Sequence, residues 1–214
     1  MIRLPLLKAA ELVRLSYLGA GALPPLKAKE TKGAQAYLTM DDVLVIPGTN
    51  EFSDWTDYNL RAFHAKGAQV GWAGANPGIA AATWHFGFAR HALDVAIFMG
   101  ARQPSFIIGH SLGAGSAQIL GCHYQVPTVC FAPPRPCFGV TPIPGENWVL
   151  NLVHSDDIIG AVLSEQAGFR RLGSVRGLTL KGAGGISHTM PHYEAALIER
   201  INQGTIDPDW PPRG

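Results

Sequence analysis

The chain has 214 residues, of which 47% are hydrophobic and 15% charged, with a formal net charge of +1. That length and apolar fraction suffice for a sizeable buried core in one domain. The 17 Lys and Arg are scattered, which argues against the concentrated basic surface that nucleic-acid binding needs, and no run reaches the roughly 20 apolar residues of a transmembrane helix.

Residues 1–22 are leucine-rich, yet Pro5, Lys8, Glu11 and Arg14 interrupt the apolar core of any secretion signal. Leu6, Ala9, Ala10, Val13 and Tyr17 instead follow helical spacing, with Lys8, Glu11 and Arg14 on another face, so an amphipathic first helix is predicted. With no signal peptide evident, a cytoplasmic location is expected, and export by a non-classical route stays open. Cys122, Cys130 and Cys137 are an odd count without a C-x-x-C pair and read as buried free thiols, one disulfide being the alternative.

Residues 19–32, rich in Gly, Pro and Lys, read as a surface connection, and residues 36–40 and 42–46 as two strands about Asp41-Asp42. In residues 50–60, Phe52, Trp55 and Tyr58 recur every three positions, which suits a short helix with one aromatic face: a candidate lid and substrate-binding segment. A short strand is predicted over 69–72, a loop over 74–77, and one long helix over 79–100 with Trp84, Phe88 and Val95 on one face. Strands follow over 105–109, 127–131 and 148–154, with a helix of small residues over 112–124 between the first two. Residues 173–181 read as a ribbon or edge strand, 182–185 as a flexible loop, 191–203 as a C-terminal helix and 207–214 as an irregular tail. Strands alternating with helices, without repeats or a domain-sized linker, imply a single α/β domain over 1–214.

The chemistry centres on Phe106-Ile107-Ile108-Gly109-His110-Ser111-Leu112-Gly113-Ala114-Gly115. An apolar strand running through Gly-x-Ser-x-Gly into a small-residue helix is the turn called a nucleophile elbow, which strains the serine backbone and projects its hydroxyl into a cleft. A serine hydroxyl needs a base, and the base an acid to orient it. In such folds the order is serine, acid, histidine. Of the histidines after Ser111, His188 lies in a loop just ahead of the last helix and is the favoured base, with His192 one turn later in reserve. Asp157, with Asp156 as the alternative, follows the 148–154 strand and is the favoured acid. The backbone N–H of Leu112 is one expected oxyanion donor, and Thr49, at the end of the 42–46 strand, the other.

Other chemistries fit less well. Nucleotide binding at residues 109–115 lacks the Gly-Lys-Ser/Thr of a phosphate loop. A metal site on His188 and His192 lacks His-Glu-x-x-His and a third ligand. No cofactor is expected.

Several stretches together resemble the class 3 (fungal-type) lipase family. These are residues 43–49 followed by Asp54-Trp55 and Asn59-Leu60, His85-Phe86-Gly87-Phe88, Gly109 to Gly113, Phe131-Ala132-Pro133-Pro134-Arg135, residues 151–159, and His188-Thr189-Met190 before Tyr193. Pro47 and Gly160 depart from that pattern, which carries Arg and Pro there. The resemblance implies an α/β-hydrolase-type fold, with a mostly parallel central sheet flanked by helices and a short lid. It also implies a serine carboxylic-ester hydrolase (lipase or esterase) with Ser111 as nucleophile, Asp157 as acid, His188 as base, and Thr49 and Leu112 as oxyanion donors. The expected partner is a small-molecule ester or lipid, with transient contact to a lipid surface. Glu51, Asp54 and Asp57 make residues 50–60 polar for a lid that opens onto oil, so short or medium acyl esters are expected. Alternatives are a phospholipase A1-like or feruloyl-type esterase on the same fold, or a non-catalytic binding protein that keeps the cleft.

Overall fold

The four residues Val43, Leu44, Val45 and Ile46 show how the sheet is built. All four are buried; Val43 and Val45 join one hydrophobic cluster, Leu44 and Ile46 the other. Successive side chains of a strand point to opposite faces, so an unbroken apolar run of this kind belongs to a sheet covered on both sides.

The structure is a computed structural model that describes residues 2–48, 74–157, 163–178 and 188–212. In chain order its first elements are β1 (Leu4–Pro5), α1 (Leu6–Ser16), β2 (Leu26–Glu30), β3 (Ala36–Thr39), β4 (Val43–Ile46), α2 (Pro77–Ala81), β5 (Thr83–Trp84) and α3 (Phe86–Met99). There follow β6 (Phe106–His110), α4 (Leu112–Tyr124), β7 (Thr128–Phe131), β8 (Cys137–Phe138), β9 (Val149–Val153), β10 (Phe169–Arg170), β11 (Ser174–Gly177), α5 (Met190–Asn202) and β12 (Asp209–Trp210). The main sheet has the order β11-β9-β7-β6-β4-β3-β2. From β4 to β11 its neighbours run parallel, and β3 and β2 add antiparallel strands at one edge.

Two layers of helix cover it. Leu6, Ala9 and Val13 of α1 and Tyr193 and Leu197 of α5 pack with Val45, Ile108 and Val129 on one face. Phe88 and Val95 of α3 and Ala117 and Leu120 of α4 pack with Leu44, Ile46 and Ile107 on the other. Burying each large apolar side chain contributes about 1.5–3 kcal/mol, so packing between layers outweighs the helix propensity of a segment as glycine-rich as α4. Because β4, β6, β7 and β9 run parallel, the loops after them emerge on one edge, where an open α/β sheet carries its site.

The amphipathic first helix, the strands about Asp41-Asp42 and the helix after Ser111 are found where the sequence puts them. Cys122, Cys130 and Cys137 are buried free thiols. Three segments differ. The helix expected over 79–100 is divided: Thr83 and Trp84 pair with Phe138 and Cys137, His85 N–H donates to the Pro136 carbonyl at 2.9 Å, and α3 starts only at Phe86. Trp84 thus sits on a strand, fully buried, its indole N–H donating to the Ile79 carbonyl at 3.0 Å. The surface connection over 19–32 contains β2, whose exposed Lys27 and Lys29 alternate with half-buried residues along the sheet edge, a placement that discourages pairing with another chain. The tail carries a strand, because Asp209 and Trp210 pair with Pro5 and Leu4. The strand expected over 69–72 and the loop over 182–185 lie outside the described residues. Among the described residues no helix is long and apolar enough to cross a membrane.

Candidate active site

The strand β6 delivers Ser111 to the edge where the parallel strands end. Ser111 has φ 56° and ψ −124°, a conformation that costs a non-glycine residue about 1–3 kcal/mol unless its surroundings hold it. Its N–H donates to the Phe131 carbonyl at 3.1 Å, and its carbonyl accepts from Ala114 N–H at 2.9 Å and Gly115 N–H at 3.2 Å. The neighbouring β7 and the start of α4 therefore both hold the turn. At Gly113 a Cβ would lie 2.1 Å from the Ile46 carbonyl oxygen and 2.4 Å from that of Pro47, so only hydrogen fits where α4 meets the end of β4. Gly113→Ala is expected to destabilise the fold by about 1–3 kcal/mol, read as a lower urea midpoint at unchanged m-value.

His188 lies two residues before α5, and its Nε2 is 2.8 Å from Ser111 Oγ. Its Nδ1 is 2.9 Å and 3.0 Å from the two carboxylate oxygens of Asp157. A carboxylate only accepts, so Nδ1 carries the proton and Nε2 offers its lone pair to the Ser111 hydroxyl. Asp157 is 3% exposed, and a buried carboxylate needs donors. Tyr193, in the first turn of α5, donates its hydroxyl to Asp157 Oδ2 at 2.7 Å and accepts from His154 N–H at 3.3 Å. The positive charge of Arg171, whose Nε donates to the Pro133 carbonyl at 2.8 Å, also acts on Asp157. Burial, then repulsion from Arg135, lowers the Arg171 pKa to about 10, which leaves it charged at neutral pH.

A second group of polar contacts adjoins these. The Tyr17 hydroxyl is 2.6 Å from His110 Nδ1, Gly48 N–H donates to that hydroxyl at 2.8 Å, and His110 Nε2 is 3.0 Å from the His188 carbonyl. Burial, aided by the neighbouring His188, lowers the His110 pKa to about 3, so the ring is neutral at physiological pH. Burial also pushes the Tyr17 hydroxyl up, so it keeps its proton.

Solved structures share this arrangement of backbone. A lipase from Rhizopus microsporus var. chinensis superposes at a TM-score of 0.52 with 15% identity, covering 80% of this chain and 72% of its own. The Lip2 lipase of Yarrowia lipolytica gives 0.52 at 14% identity, covering 78% and 77%. A triacylglycerol lipase whose catalytic centre is a serine-protease triad gives 0.51 at 16% identity, covering 80% and 78%. The fold is that of the fungal lipases, an α/β-hydrolase. No family sequence model matches the chain, and no curated protein sequence does. At these identities the shared property is the path of the backbone, and function has to be argued from the site.

Within this lipase fold Ser111, His188 and Asp157 come together from three loops. The alternatives separate: Asp156 accepts from the Ser155 hydroxyl at 2.8 Å and donates its N–H towards His154 Nδ1, while the His192 ring packs edge-on against His154 at 5.8 Å. Leu112 opens α4, so its N–H is among the first-turn amides that have no partner inside a helix. Thr49 and the 50–60 segment with Phe52, Trp55 and Tyr58 lie outside the described residues. Roles for Tyr17, His110 and Arg171 did not follow from the sequence pattern. Tyr17 reads there as one more apolar position of α1, and its distance of 93 residues from His110 hides the contact. Tyr193 carries a weak signal, since it stands one turn into the helix that His188 precedes.

Proposed function

We propose that the protein is a serine carboxylic-ester hydrolase of the lipase or esterase type, working through an acyl-enzyme. The observation that carries this reading is the line of contacts from Ser111 Oγ to His188 Nε2 and from His188 Nδ1 to Asp157, set on a strained turn of a lipase fold. Ser111 Oγ attacks the ester carbonyl as its proton passes to His188 Nε2, and the imidazolium is held by Asp157. The carbonyl oxygen gains charge in the tetrahedral intermediate, with Leu112 N–H and Thr49 as its donors. Collapse expels the alcohol, which takes the proton from His188. Water, deprotonated by His188, then attacks the acyl-Ser111 ester; the acid leaves and Ser111 regains its proton. Every proton taken is returned, so the cycle needs no cofactor.

A fluorophosphonate probe is expected to label Ser111 stoichiometrically, and the protein to hydrolyse p-nitrophenyl butyrate. Absence of both would favour the binding-protein alternative. The polar residues Glu51, Asp54 and Asp57 support short or medium acyl esters as substrates, because a face that opens onto an oil droplet is apolar. Faster hydrolysis of an emulsified long-chain triglyceride than of the butyrate ester would overturn that preference.

A further inference from the structure

Tyr17 and His110 take no part in the proton transfers just described, yet both touch the parts that perform them. Tyr17 stands at the end of α1, on the face where that helix packs with α5. Its hydroxyl reaches past the end of β4 to the backbone of Gly48, the residue before Thr49. A Cβ built at Gly48 would lie 2.9 Å from the Tyr17 hydroxyl and 2.8 Å from Ser111 Cβ, so that hydroxyl, the end of β4 and Ser111 meet within the space of one methyl group.

The two ends of the contact chain fix its direction. Gly48 N–H can only donate, and it points at the Tyr17 oxygen; the His188 carbonyl can only accept, and it faces His110 Nε2. Nε2 therefore carries the ring proton and Nδ1 is bare. The Tyr17 proton then lies on the 2.6 Å line to Nδ1. Each hydrogen has one place, and reversing any link sets two lone pairs or two protons against each other. From this geometry we infer that Tyr17 and His110 are positioning residues, a bridge that fixes the backbone of His188 relative to the end of β4 on the oxyanion side. The distance from base to nucleophile and the approach of the oxyanion donors are thereby set by one connected unit. This inference rests on the hydrolase reading for its effect on rate, but its hydrogen positions stand apart from that reading.

Tyr17→Phe removes the hydroxyl and keeps the ring. It is expected to lower kcat for p-nitrophenyl butyrate by about 10- to 100-fold, the effect of leaving buried polar partners unmet, with KM within about twofold. His110→Phe should give a similar loss, and the double variant no more than the larger single loss, because both act through one connection. Unchanged kcat in Tyr17→Phe, a change confined to KM or to melting temperature, or additive losses would overturn the bridge. A long-range 15N–1H NMR spectrum of the wild-type protein at neutral pH gives a readout that needs no turnover and no variant. It should show His110 as the neutral Nε2–H tautomer. The Nδ1–H form, or a charged ring, overturns the bridge whatever the activity. A wild-type protein with the Nε2–H form but neither turnover nor probe labelling would overturn the hydrolase reading alone.

Discussion

Ser111→Ala is expected to lower kcat on p-nitrophenyl butyrate by about 10^6-fold, with KM little changed. The size follows from what the proposed mechanism would lose: without Oγ no acyl-enzyme forms, and the reaction falls back on water held near the proposed oxyanion donors. His188 Nε2 loses the hydroxyl at 2.8 Å, one hydrogen bond with a net worth of about 1 kcal/mol. The fold should therefore survive. The φ of 56° at this position is imposed by the Phe131 carbonyl and the start of α4, neither of which depends on the side chain. Burst and steady-state kinetics beside a thermal melt check both halves; turnover within tenfold of wild type would remove Ser111 from the mechanism.

Asp157→Asn is expected to cost about 10^4-fold in kcat, and the surroundings say why. Tyr193 donates to Oδ2 at 2.7 Å, so the replacement amide turns its oxygen there and its NH2 towards the position of Oδ1, 3.0 Å from His188 Nδ1. An NH2 group facing Nδ1 favours the tautomer with the proton on Nε2, which then cannot accept from Ser111. On the proposed mechanism the imidazolium formed in each step also loses the charge that offsets it. Steady-state kinetics at neutral pH measure the loss. A cost below about tenfold would mean that Asp157 does not set the His188 tautomer.

The turn that carries Ser111 is legible in the sequence because its residues are local. The turn at Gly109-His110-Ser111-Leu112-Gly113 needs small residues where a strand end and a helix start crowd together, and those residues are adjacent in the chain. The buried strands read as short apolar runs because both faces of the sheet are covered. The segment 79–100 shows the limit. Its apolar spacing suits one helix, and what divides it is the pairing of Thr83 and Trp84 with a strand more than fifty residues later, a hydrogen-bond partner that no local window contains. The tail and β2 differ for the same reason, since an edge strand is defined by its neighbour.

The sequence by itself determined the α/β alternation and the strained serine, both set by residue types and spacings within a few positions of one another, and it set an acid and then a histidine after that serine along the chain. Tertiary structure brought Asp157, and not Asp156, into contact with His188, and His188, and not His192, into contact with Ser111, because that depends on which side chain points to the edge where β6 and β9 end. It also joined Tyr17 to His110 and His188, a contact made only when α1 packs across the sheet, where burial removes the water that would otherwise satisfy those groups.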